Sequence, residues 1–173
     1  MSAATATTTD VINSILGVDD NSAVVTLRNQ KPVLIEELPA YYDAIFAPEA
    51  ASARAFSVAD RALVALRVAS HTNSQAVADW YANVARSSGV SDESIIETRD
   101  VSVPATEQTP LGAAIRHADL LAIHTSDARA SDLQALKDAG FTPASILSLS
   151  QTIAFVSYQL RLIAGLRAFG EQS

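Results

Sequence analysis

Between Val68 and Tyr81 the chain reads VASHTNSQAVADWY, and with Arg67 just before it this stretch holds the residue types from which a polar site is made. Arg67 and His71 are four apart and share a face if one helix carries both, while Ser74 and Tyr81 enter from the next helix. Such a set suits a small anionic or carbonyl ligand, Arg67 holding the anion and His71 acting as acid or base. The competing reading is structural: Arg67 pairs with an acid, His71 caps a helix C-terminus, Ser74 caps the following N-terminus, and Trp80 and Tyr81 pack. The residues alone leave both open.

His117 and His124 form a second polar constellation, seven apart on one face of a helix expected over 110–126, with Asp119 and Asp127 nearby. Seven residues cover about 10.5 Å of helix, too far for two ligands to grip one metal unaided. Exposed or interface histidines are expected there, and no metal. Asp119-Leu120-Leu121 reads as core packing. The glycines Gly17, Gly112 and Gly165 are isolated, so no loop cradles a phosphate and no cofactor is expected.

Bulk properties bound the function classes. The 173 residues, 49% of them apolar, are enough for one domain with a sizeable core, and 1–173 is read as that single domain. With no cysteine, disulfides, Cys-ligated zinc, Fe–S clusters and every thiol cycle are excluded in this chain. A net charge of −7, with twelve Lys and Arg scattered singly, gives no footprint for nucleic acid. No run is expected to reach the roughly 18 apolar residues of a membrane span, and MSAATATTTD lacks the basic and apolar regions of a signal peptide. The expectation is a cytoplasmic protein with no membrane partner, residues 1–9 forming a flexible tail.

The elements that must position these side chains are all helical. Ser57 with Asp60 caps a helix over about 57–70, followed by Leu63 and Leu66 at helical spacing. Asn73 or Ser74 caps the next, whose stripe Val77, Tyr81, Val84 runs to Gly89. Thr109-Pro110 opens another, Ser131 starts a short one ending at Gly140, and Thr142-Pro143 opens the longest, to about Phe169. Val11–Leu16 and 33–46 are coarser helix readings, Pro39 breaking or bending the second. Only 23–27 and 101–103 lean towards β, too short for a sheet, so the fold class is all-α. The segments Gly89–Ile95 and Gly140–Ile146 share the order Gly, apolar, hydroxyl, two variable residues, Ser, Ile. In each, Gly ends a helix in the left-handed conformation, the apolar residue folds back, and Ser91 or Thr142 caps the next helix.

This order of elements resembles the carboxymuconolactone decarboxylase and alkylhydroperoxidase-like family over about residues 40–169. The features that carry the likeness are Ser-x-x-Asp-Arg with Leu-x-x-Leu-x-Val-Ala, Gly-Val-Ser-Asp-Glu, Asp-Leu-Leu, Gly-Phe-Thr-Pro, and Gln-Leu-Arg-Leu-Ile-Ala-Gly-Leu. The resemblance implies a compact helical protomer that forms dimers, trimers or hexamers. It also implies a peroxidase motif, Cys-x-x-Cys with a His four residues on and a Glu upstream. Laid on this chain, the two Cys positions fall on Ser74 and Val77, the His on Tyr81 and the Glu near Ala62. Ser74 ionises far above neutrality and has no sulfenate cycle, Val77 is inert and Tyr81 is a poor proton acceptor. As a thiol peroxidase site this one is vacant.

Three functions follow as expectations. The first is a non-catalytic or altered family member acting as an oligomeric partner protein, with itself or with a cysteine-bearing relative; the 143–169 helix, apolar on more than one face, would be its interface. The second is a thiol-independent decarboxylase or isomerase of a small carboxylate, and the third a small-ligand binder. A pocket on which Arg67, His71 and Tyr81 converge favours the last two. One filled by Trp80 and Phe side chains favours the first.

Overall fold

Helix-starting side chains and glycine stops organise the chain in the computed structural model, which describes residues 10–48, 56–72, 74–106 and 108–172. Among them run α1 (Val11–Leu16), α2 (Ala23–Arg28), α3 (Pro32–Phe46), α4 (Val58–Ser70), α5 (Gln75–Ser87), α6 (Asp92–Arg99), α7 (Pro110–Ile123), a 3-10 turn (Thr125–Asp127), α8 (Ala130–Asp138) and α9 (Pro143–Gly170). No strand occurs among the described residues, and the fold is all-α. The tail expected over residues 1–9 and the alternative cap Asn73 lie outside them.

Five of the helix starts follow the local rule that a hydroxyl accepts from the N3 amide, Ser22 with Val25 N at 3.2 Å among them. Ser57 accepts from Asp60 N at 3.1 Å, Ser91 from Ser94 N at 3.2 Å, Thr109 from Gly112 N at 3.1 Å and Thr142 from Ser145 N at 3.2 Å. The repeated Gly-apolar stop is also real. Gly89 (φ 86°) and Gly140 (φ 95°) take the left-handed conformation. Val90 N then donates to the Ala85 carbonyl at 3.1 Å and Phe141 N to that of Leu136 at 3.0 Å. With Gly89 N on Arg86 O and Gly140 N on Lys137 O, each is a complete Schellman stop.

α4 is the central helix, packed against α5, α9, α7, α6 and α3. Its residues Arg61 through Ala69 are all buried, so it is apolar around its whole circumference except for two arginines. Arg61 resolves its burial by donating to the carbonyls of Phe56 (2.9 Å) and Ile45 (2.7 Å).

Several elements differ from the sequence reading. The β-leaning 23–27 segment is helix α2, because Ser22 caps Val25 N at 3.2 Å and Val24 and Val25 are buried, which overrides their β preference. α3 continues through Pro39, which costs it the hydrogen bond to the Ile35 carbonyl but does not end it. α7 stops at Ile123, so His124 sits at its C-cap and only His117 lies within the helix. α8 begins at Ala130, with the Arg129 amide donating to Asp132 at 2.8 Å, one residue before Ser131. α9 has 28 residues with a window of mean hydropathy 1.2, enough by length and composition to cross a bilayer. Here its stripe of Leu149, Ile153, Val156, Ile163 and Leu166 is buried in the bundle.

Candidate functional site

α4 ends at Ser70 and His71 takes the C-cap position, with Thr72 Oγ1 closing the turn on the Ala69 carbonyl at 2.8 Å. Helical spacing therefore places Arg67 and His71 on one face, and that face looks at α7. Both side chains meet Asp119. Arg67 Nε and Nη2 donate to Oδ1 at 2.7 Å and Oδ2 at 2.9 Å, and His71 Nε2 lies 2.6 Å from Oδ1. An ionised carboxylate only accepts, so Nε2 carries the proton in this contact, and in the neutral ring the lone pair is then on Nδ1.

Arg67 is fully committed. Besides the two bonds to Asp119, Nη1 donates to the carbonyls of Asp100 (2.7 Å) and Thr98 (3.3 Å), and Nη2 to that of Val103 (3.0 Å). A guanidinium has five N–H donors, and all five are used. Arg67 is also 3% exposed. It holds the 98–103 connection onto α4 and has no donor left for a ligand, so the anion-holding role envisaged for it is not open. Asp100 in this connection is itself held below the usual carboxylate range, chiefly by the Ser102 hydroxyl and amide.

His71 and Ser74 line one cleft of about 580 Å³, which Arg161 and Arg167 of α9 also line, with Val68, Ile123 and Leu160 as apolar wall. Ser74 occupies the N-cap position of α5 but makes no capping bond, and its Oγ is buried without a hydrogen-bond partner among the described residues. The reading of Ser74 as a side-chain cap is therefore corrected. Arg161 donates to the Ser157 carbonyl of its own helix at 2.9 Å.

Tyr81 is elsewhere. Fully buried, it donates its hydroxyl to Gln159 Oε1 on α9 and packs its ring against Phe46, centroids 5.1 Å apart. Burial holds its hydroxyl pKa well above the ordinary value, so it is neither acid nor base near neutrality. Trp80 donates to the Tyr42 hydroxyl at 3.1 Å and joins the aromatic group of Tyr42, Phe46 and Phe155. None of these rings lines the cleft. Of the four candidate residues the structure thus joins Arg67 to His71 through Asp119, sets His71 and Ser74 on one cleft, and leaves Tyr81 in the core. Val77 and Ala62, the other positions aligned with the family's thiol motif, are fully buried.

Asp119 is the residue missed from sequence. Within Asp-Leu-Leu its sequence context reads as core packing, yet it carries both polar partners. The available signal was an acid beside a buried stripe, facing an otherwise apolar run, ALVALRVAS, that contains one arginine. Each is costly to bury alone, and together they imply a pair.

His117 is 6% exposed, its Nδ1 has no partner among the described residues, and burial lowers its pKa. It lines a separate cleft of about 440 Å³ between α7 and α8, near Arg116 and Asp132, which lie 3.4 Å apart. His124 is exposed. No group of three or more His, Asp or Glu among the described residues is arranged to hold a metal. Compared with known proteins, the chain matches no family model and no curated protein.

Proposed function

We propose that the chain is a divergent, thiol-independent relative of the carboxymuconolactone decarboxylase and alkylhydroperoxidase-like family, and that the cleft at the α4–α5 turn binds a small carboxylate. The observation that carries this reading is the cleft itself: it is open and lined by His71 and Ser74 together with Arg161 and Arg167. The anion-holding cations are those of α9, since Arg67 has no free donor. The rest of the wall sets an apolar strip, Val68, Ile123 and Leu160 among it, beside Thr72, Ser157 and the acidic Glu171; the strip suits a short carbon chain. With no cysteine, the chain cannot form the sulfenic acid on which a thiol peroxidase depends.

Calorimetry with propionate, and with propionamide as its uncharged counterpart, tests the reading. Propionate should bind and propionamide should not, and Arg167→Ala combined with Arg161→Ala should abolish propionate binding while leaving the helical circular dichroism intact. Equal heats for acid and amide, or none for either, would remove the carboxylate reading.

A second reading, assembly with a copy of itself or with a cysteine-bearing relative, is favoured by a separate feature. Leu34, Leu38, Tyr41, Phe155 and Tyr158 line an apolar groove of about 610 Å³ between α3 and α9. Sedimentation at micromolar concentrations tests it, and a monomer throughout would refute self-assembly.

A further inference from the structure

We infer that the Asp119–His71 pair is a proton-transfer device, and that the ligand it serves is a small 2-oxo acid; this rests on the carboxylate-binding reading above. Three observations converge. His71 Nε2 is fixed on Asp119 Oδ1 at 2.6 Å, and Asp119 is itself fixed by the bidentate Arg67, so the ring has one orientation and one tautomer. No described residue bonds Nδ1, and His71 lines the cleft, so the basic nitrogen is left to an occupant. Arg161 and Arg167 of α9 line the same cleft and bring positive charge to it.

These groups ask for complementary features in the ligand. A carboxylate answers the α9 arginines and an acidic C–H answers the free imidazole nitrogen, and a C–H acidic enough for an imidazole needs a carbonyl beside it. A 2-oxo acid with hydrogen on C3 carries all three. In the step, His71 Nδ1 takes a proton from C3, the C3–H electron pair becomes the C2=C3 double bond, and the carbonyl pair moves onto oxygen. Return of the proton from the imidazolium to C3 regenerates the acid. Nothing is oxidised or reduced and no group leaves. Arg67 is a positioning residue in this scheme: it holds Asp119, which holds the ring.

The experiment is exchange of the C3 protons of pyruvate in D2O, followed by NMR on the full chain, with pyruvate binding measured in parallel by calorimetry. Exchange should exceed that in an equal concentration of free imidazole by about 100-fold or more, the usual scale of a positioned base. His71→Ala should still bind pyruvate, lose about 100-fold of the exchange, and regain part of it when imidazole is added, which a merely structural histidine would not show. Binding of pyruvate without exchange above free imidazole, or exchange unchanged in His71→Ala, would overturn the proton-transfer role and leave carboxylate binding standing. Failure of both pyruvate and propionate to bind would overturn both.

Discussion

Arg67 and Asp119, 52 residues apart in the chain, are joined by two parallel hydrogen bonds of 2.7 and 2.9 Å in the heart of the α4–α7 contact. The pair is buried on the arginine side and partly open on the carboxylate side. Removing the guanidinium would strand the carboxylate beside His71 and leave the carbonyls of Thr98, Asp100 and Val103 without their donor. Arg67→Ala should therefore destabilise by about 3–5 kcal/mol, the scale for breaking a buried pair. Arg67→Lys should recover only a minor part, since an ammonium offers three donors where five are used. Urea denaturation measures both, and a loss under about 1 kcal/mol for the alanine variant would contradict the arrangement.

Tyr81 and Gln159 make another buried polar link, between α5 and α9. Tyr81→Phe leaves Gln159 Oε1 unsatisfied in addition to its unpartnered Nε2, at an expected cost of about 1–3 kcal/mol. Adding Gln159→Leu removes the stranded amide and should restore a large part of that loss. A double-mutant cycle reads the coupling. Neither change should alter propionate binding, because Tyr81 and Gln159 do not line the cleft.

His117 gives a pH dependence whose sign follows from its burial. Its folded pKa lies below the ordinary 6.5, so below about that pH the unfolded chain takes up a proton that the folded chain resists. The favourable contribution is present above 6.5 and is lost as pH falls through the folded value. Melting temperature measured from pH 7.5 to 5 should fall more steeply for the native chain than for His117→Gln, which cannot take up that proton. Parallel curves would show that the ring is not the titrating group.

Gly112 sets two effects in opposition. Alanine in a helix gains about 1 kcal/mol over glycine, but a Cβ here would stand 1.8 Å from the Thr106 carbonyl oxygen. The obstacle is backbone, not a flexible side-chain tip, so the clash wins and the Thr106 backbone must move. Gly112→Ala should destabilise by roughly 1–3 kcal/mol, the range for overpacking. A thermal melt decides, and a stabilised variant would contradict the close approach.

What was legible in the sequence was local. Ser57, Ser91, Thr109 and Thr142 cap helices because the bond each makes reaches only three residues ahead, and the Gly89-Val90 and Gly140-Phe141 stops are complete within six residues. α2 was not legible, since Val24 and Val25 favour strands by themselves and become helical through burial. Ser74 shows the limit within a motif: its type and position fit a cap, yet its hydroxyl makes no capping bond. The candidate site was half legible. Four-residue spacing correctly placed Arg67 and His71 on one face, but the partner that gives that face its chemistry is 48 residues from His71. Tyr81 follows the N-cap Ser74 by seven residues, so the two share a side of α5, and it is their separation of about 10.5 Å along the axis that sets one in the core and the other at the cleft.

The burial of α4 on every side bears on how the molecule breathes. A helix with one wet face can peel away while the rest of the bundle holds, but α4 can expose its amides only if several neighbours let go at once. Amides from Arg61 to Ala69 should therefore exchange with solvent at rates set by unfolding of the whole chain, while those of α1 and α2, short and peripheral, open far more often. His71 is mounted on the last turn of that slowest-opening helix, so its wall of the cleft is anchored to the least yielding part of the protein.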